Sequence, residues 1–329
     1  MDYNSYVVLK DNLDLTKLDR YDCMNIYKSL EPLKDKEIQN KLVEKFNIEN
    51  VMYPNLIDNF THKVDFLKNK KDEIKVVRKG VVNTLETIFR SLDDSIILYI
   101  PQDVYPVYKK ISEINHKNYK EYNTFNQPDF NNLYNIKNSV ILVTLPSKPV
   151  EFNISYKEIN ELIANGNIVI IDAVYLRKDE YDFDLISNLK NVIIIHSLSK
   201  TFLEGKKVGF VLDNTSLDID YDLCNKKEIE FYNDVLNECN INEILINIIK
   251  FGWSNQNYNF WLPYEFITDD IDNSNYFKLI KGDFESFLEK DILTIPLSVF
   301  GIDEKYDKEY VLITPLLWLS SYLKSLKNI

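Results

Sequence analysis

The sequence predicts an α/β protein: a mostly parallel central sheet sandwiched by helices, plus a small α+β C-terminal subdomain. Three observations point there. Short β-branched runs such as Ile168-Val169-Ile170-Ile171 and Val192-Ile193-Ile194-Ile195 have the composition of strands buried on both faces. Between residues 74 and 214 such runs alternate with stretches of helical periodicity, which is the rhythm of βαβ units. After Asn214 the chain changes to longer helical stretches with isolated strands.

The elements are read in order. Residues 1–45 are mixed, with a helical pattern around Asp35–Phe46. Thr84–Leu92 carries Leu85, Ile88, Phe89 and Leu92 at helical spacing. Ser95–Ile100 reads as a strand stopped by Pro101, Pro106–Ile114 as the next helix and Ser139–Thr144 as a strand. Ser155 and Glu158 form a capping box, and Ile154 with Ile159 fits a hydrophobic staple. That helix runs to Ala164 and is ended by Asn165-Gly166-Asn167. Strands Ile168–Asp172 and Val192–His196 follow, and Val208–Leu212 is a third apolar run. Beyond these, Lys226–Phe251 and Phe277–Leu288 read as helices, Ile292–Pro296 and Tyr310–Thr314 as strands, and Leu316–Leu326 as a closing helix. The expected domains are an N-terminal segment 1–45 packing on the small domain, a large domain 46–214 and a small domain 215–329.

Composition narrows the function. A chain of 329 residues with 45% apolar and 13% aromatic residues can bury a substantial core. Only 7 glycines and 10 prolines argue against a low-complexity chain. A net charge of −12 leaves no basic surplus to displace counterions, so no nucleic acid partner is expected. Cys23, Cys224 and Cys239 are far apart and odd in number, which gives neither a disulfide framework nor a metal spacing. His62, His116 and His196 do not cluster, so no metal site is expected. The start Met1-Asp2-Tyr3-Asn4 lacks the order of a signal peptide. No apolar run approaches the ~20 residues of a membrane span. A cytoplasmic location is the expectation.

The chemistry lies at two strand ends. One run delivers Asp172, and the other leads through Ser197-Leu198-Ser199 to Lys200. The C-terminal edge of an open α/β sheet is where ligands bind. An acid and an amine offered there suit a cofactor with a basic ring nitrogen and an aldehyde, pyridoxal 5′-phosphate (PLP). The amine attacks an aldehyde only when neutral, a state that desolvation favours.

Taken together, the motifs resemble those of fold type I PLP enzymes, and within them the histidinol-phosphate aminotransferase branch. Ser197-Leu198-Ser199-Lys200 is similar to the family's Ser-x-Ser-Lys, whose lysine holds PLP as a Schiff base. Asp172-Ala173-Val174-Tyr175 resembles its Asp-Glu-Ala-Tyr. Gly80-Val81-Val82-Asn83-Thr84-Leu85-Glu86 occupies the place of the phosphate-binding turn, and Pro101-Gln102-Asp103-Val104-Tyr105 that of the ring-stacking aromatic. Met52-Tyr53-Pro54 resembles the Tyr-Pro whose tyrosine reaches the phosphate of a neighbouring subunit.

The resemblance implies roles. Lys200 carries PLP and shuttles a proton, and Asp172 keeps the pyridinium nitrogen protonated. Tyr175 hydrogen-bonds the phenolic oxygen, and Tyr105 stacks on the ring. The amides of Val81 and Val82 hold the phosphate at a helix N-terminus, with Ser197 and Ser199 adding hydroxyls. A homodimer follows if Tyr53 reaches across.

Three positions depart from the family pattern. Lys207 stands where an arginine clamps the phosphate; it keeps the charge and loses the bidentate fork. Lys148, in Leu145-Pro146-Ser147-Lys148-Pro149, stands where an asparagine meets the phenolic oxygen. Leu312 stands where an arginine grips the substrate α-carboxylate, and the chain's four arginines, Arg20, Arg78, Arg90 and Arg177, offer no obvious replacement.

The implied activity is a PLP-dependent aminotransferase of unusual specificity, with a small-molecule amino donor and keto acceptor. A PLP-dependent decarboxylase, lyase or cyclase uses the same parts. An inactive aminotransferase fold serving as a binding protein is the third reading.

Overall fold

The computed structural model describes residues 1–13, 33, 35–48, 70–125, 130–145, 147, 154–175, 183–197, 207–237, 278–290, 292–313 and 325–326. Its internal contacts divide the chain into one unit of Met52–Cys239 and another made of Met1–Val51 with Asn240–Ile329.

The larger unit is built on seven strands: β1 (Ile74–Val77), β2 (Leu98–Pro101), β3 (Tyr119–Tyr122), β4 (Val140–Thr144), β5 (Ile168–Asp172), β6 (Val192–Ser197) and β7 (Gly209–Asp213). They lie in the order β1-β7-β6-β5-β4-β2-β3. From β3 to β6 every pairing is parallel, and β7 runs antiparallel to both β6 and β1. The β-branched runs fold as expected, because strands covered on both faces need apolar residues at every position. Every residue of β6 is buried.

Alternation along the strands sorts the two faces. Ile170, Ile193, Ile195 and Val211 pack with Leu85, Ile88 and Phe89 of the helix Gly80–Ser91, and with Tyr108 of the helix Val107–Ile114. Val169, Ile171, Val192 and Ile194 pack on the opposite face with Ile159 and Leu162 of the helix Tyr156–Ala164. That third helix begins as its sequence requires. The Glu158 amide donates to Ser155 Oγ at 3.3 Å, and the Ser155 amide donates to Glu158 Oε2 at 2.6 Å. Ile154 and Ile159 both enter the core, completing the staple.

Two strands escape the sequence reading. β3, Tyr119-Lys120-Glu121-Tyr122, is a polar edge strand without an apolar run. β1 is a short edge strand paired only to β7 within the sheet. The helix expected from Thr84 starts four residues earlier, at Gly80. Lys79 (φ 60°) and Gly80 (φ 71°) both take left-handed conformations, which turn the chain sharply from β1 into the helix.

The larger unit extends past Asn214, where the sequence reading drew its boundary. Arg78, at the end of β1, explains why. Its guanidinium donates to Asp222 Oδ1 at 2.8 Å and to both oxygens of Glu228, Oε1 at 2.8 Å and Oε2 at 2.6 Å. Its amide donates to Asp222 O at 2.8 Å. Glu228 lies in the helix Lys226–Asn237, which is therefore tied to the sheet. The hydrogen bond from Arg78, followed by the Asn225 amide, lowers the Glu228 pKa from 4.5 to about 2. A depressed carboxylate contributes stability that is fully present above its unfolded value and lost as pH falls through the folded one. The wild-type chain should therefore lose resistance to urea between about pH 4.5 and about pH 2 more steeply than Arg78→Ala. Parallel urea curves for the two proteins across that window would remove this latch from the account.

The second unit carries the helices Tyr3–Asn12 and Lys36–Phe46, capped by Asp2 and Asp35. It also holds a three-stranded antiparallel sheet, in the order β8 (Lys278–Lys281), β10 (Tyr310–Ile313), β9 (Ile295–Pro296). The expected helix Phe277–Leu288 is corrected here. Lys278–Lys281 pairs with β10 as a strand, and only Phe284–Leu288 is helical, started by the Asp283 cap. Leu312 is buried on the central strand, opposite Leu279 and Ile295. Most of the closing helix expected at Leu316–Leu326, and all of Lys226–Phe251 beyond Asn237, lie outside the described residues. Among the described residues no helix is long and apolar enough to cross a membrane, and no group of acidic, His or Cys side chains could hold a metal ion.

Candidate active site

Several chain segments meet at the C-terminal edge of the parallel strands. Thr144 ends β4, Asp172 ends β5 opposite it, and Ser197 ends β6. Because β7 runs the other way, its first residue, Gly209, pairs with Ser197 at that same edge. Gly209 also brings the start of the helix Gly80–Ser91 there. A Cβ built on it would lie 3.4 Å from the Cα of Gly80. Alternation with Ile170 turns the Asp172 side chain to the face covered by this helix.

Asp172 is 4% exposed. Its Oδ2 accepts a 2.8 Å hydrogen bond from the hydroxyl of Tyr108, and its Oδ1 accepts the Val174 amide at 3.0 Å. The Tyr108 ring meets Tyr105 edge to face, with centroids 5.4 Å apart at 82°. Burial, then the Asp172 charge and hydrogen bond, then Tyr105 and Tyr175, push the Tyr108 hydroxyl well above its usual pKa. It is therefore a neutral donor at any working pH. Asp172, Tyr105, Tyr108 and Tyr175 form one electrostatic neighbourhood.

The helix start has the character of an anion site. Asp2, Asp35, Ser155 and Asp283 cap other helices with their side chains, whereas Lys79 makes no side-chain cap bond. Among the described residues, no N-cap side chain meets the first-turn amides of Val81 and Val82, which carry the positive end of the helix dipole. Lys207 sits beside this turn, its Cβ 3.5 Å from a Cβ built on Gly80, and its side chain is exposed. Val81 is buried, while Val82 is exposed.

Ser197 closes β6 beside the connection into β7. Its hydroxyl donates to Val208 O at 2.8 Å. Lys200, Ser199, Lys148 and Tyr53 lie outside the described residues. Sequence reasoning missed Tyr108. The available signal was Tyr105-Pro106-Val107-Tyr108, a helix-initiating proline that places two tyrosines three residues apart.

No protein-family model matches the chain, and no curated protein matches it. Solved structures do. The chain is similar to a PLP-bound C-S lyase from Staphylococcus hominis, at 15% identity over 89% of this chain and 88% of that one, with a TM-score of 0.56. It is similar to aspartate aminotransferase from Thermotoga maritima, at 15% identity over 91% and 88% of the two chains, TM-score 0.57. A methionine aminotransferase from Escherichia coli gives 14% identity over 88% and 90%, TM-score 0.57. These likenesses establish the fold as that of the type I PLP transferases.

The donor set fits that cofactor. It offers a buried carboxylate for a pyridine nitrogen, an aromatic ring beside it, and uncapped amides with an adjacent lysine for a phosphate.

Proposed function

We propose that the chain is a PLP-dependent aminotransferase of unusual substrate specificity, acting on a small-molecule amino donor and a keto acceptor. The observation that carries this reading is the buried Asp172 carboxylate. It is held by two donors at the sheet edge, on the same face as an uncapped helix start. PLP would supply an electron sink conjugated to the amino carbon. Asp172 would hold the proton on its ring nitrogen. Val81, Val82 and Lys207 would bind its phosphate. Tyr105 would cover the ring, and Tyr175 would donate to the phenolic oxygen. Lys200 would anchor the aldehyde as a Schiff base and move a proton between the substrate Cα and the cofactor C4′.

The motifs favour the histidinol-phosphate aminotransferase branch, and the Tyr53-Pro54 motif supports a homodimer. Leu312 favours a substrate that is not gripped through its α-carboxylate, because a buried leucine offers a carboxylate nothing. A lyase reading has its own support, since a C-S lyase shares this fold at the same level of likeness as the aminotransferases.

The test begins with the purified protein and PLP. A visible absorption band should appear. Borohydride should then fix a phosphopyridoxyl group on the peptide bearing Lys200, and Lys200→Ala should abolish both signals. A colourless protein with no trapped adduct would leave only the binding-protein reading. Screening amines for conversion of the band to pyridoxamine phosphate then separates transamination from elimination, which releases a keto acid without consuming an acceptor.

A further inference from the structure

We propose that Tyr108 is the positioning residue for Asp172, fixing its carboxylate where the ring nitrogen of PLP is held; the inference rests on the PLP reading above. Tyr108 is 2% exposed, and its hydroxyl bonds Oδ2 of Asp172 while the Val174 amide bonds Oδ1. With one donor on each oxygen, the carboxylate cannot turn about its Cβ–Cγ bond without breaking a charge-assisted hydrogen bond.

The helix that carries Tyr108 is itself fixed. The Tyr108 amide donates to Tyr105 O at 3.1 Å, and Ser112 Oγ donates to Tyr108 O at 2.9 Å. A single turn of chain, Tyr105 to Tyr108, therefore sets both the ring that would cover the cofactor and the group that would orient its acid partner. Tyr108 touches neither cofactor nor substrate in this scheme. It acts through Asp172, and its effect must pass through the ring nitrogen.

That requirement gives a test independent of turnover. PLP and 1-deaza-PLP, which has a C–H in place of the ring nitrogen, are each titrated into the wild-type chain and into Tyr108→Phe. The variant should bind PLP about tenfold more weakly, and the deaza compound less than about twofold more weakly. In an Asp172→Ala background, Tyr108→Phe should no longer change the ratio of the two affinities. Equal losses for both compounds would show that Tyr108 only packs, and no loss for either would also overturn the proposal. Should Tyr108→Phe not fold, Tyr108→His retains a donor; a wild-type ratio there supports the proposal, and a lost ratio overturns it. Failure of the wild-type chain to bind PLP through Lys200 is a distinct result, which removes the function and not this contact.

Discussion

Asp172→Ala should slow amino transfer by about a hundred- to a thousandfold, the range for deleting one preorganised electrostatic contact to developing charge. The reason is local. Without an acid partner a bound pyridine nitrogen would lose its proton at neutral pH, and the ring would no longer draw electrons from the substrate Cα. The same substitution strips the Tyr108 hydroxyl of its buried acceptor, which costs the fold about 1–3 kcal/mol. The two effects separate experimentally. Stability is read from urea unfolding without cofactor, and rate from single-turnover conversion of the bound cofactor. A variant that keeps its rate within about tenfold of wild type would show that the carboxylate does not meet the reacting system.

Gly209→Ala should damage both the fold and phosphate binding. Gly209 pairs with Val77 on one side and Ser197 on the other. An added Cβ would lie 2.9 Å from Val77 Cγ2 and 3.4 Å from the Cα of Gly80. Val77 is buried and β-branched, so its side chain has little freedom to turn away. Gly80 is backbone at the head of the helix, and moving it displaces the amides of Val81 and Val82. Overpacking of this kind costs about 1–3 kcal/mol. Affinity for PLP should fall more than affinity for pyridoxal, which has no phosphate. Adding Val77→Ala removes the clashing methyl and should return part of the lost stability. A Gly209→Ala protein with wild-type stability and an unchanged PLP-to-pyridoxal ratio would dissociate this glycine from the anion site.

What the sequence disclosed follows from how local each feature is. The start of the helix Tyr156–Ala164 was readable to the residue, because a capping box is written within four positions. The buried strands β4, β5 and β6 were readable because their β-branched runs serve both faces at once. The stretch Lys278–Lys281 was misread as helix, since its pairing with Tyr310–Ile313 is set by residues some thirty positions away. At the site, Asp172 and the helix start at Gly80 were visible as motif positions. Tyr108 was not, because its meaning depends on which face of β5 carries the carboxylate and how the helix Val107–Ile114 is rotated above it. The hydrogen bond of the Ser197 hydroxyl was hidden for a similar reason: its acceptor, Val208 O, is defined only when β7 folds back.

That reversal of direction has a consequence for how such a protein diversifies. The stretch 198–208 leaves and re-enters the framework at a single rung, Ser197 opposite Gly209. Its endpoints, Ser197 and Gly209, are pinned by the ladder, so a change between them need not alter any other strand's alignment. The proposed covalent anchor and the arginine-to-lysine exchange at 207 both fall in this interval. Transplanting the equivalent stretch from a homologue should therefore exchange the proposed anchor and the residue at 207 together while the framework keeps its register.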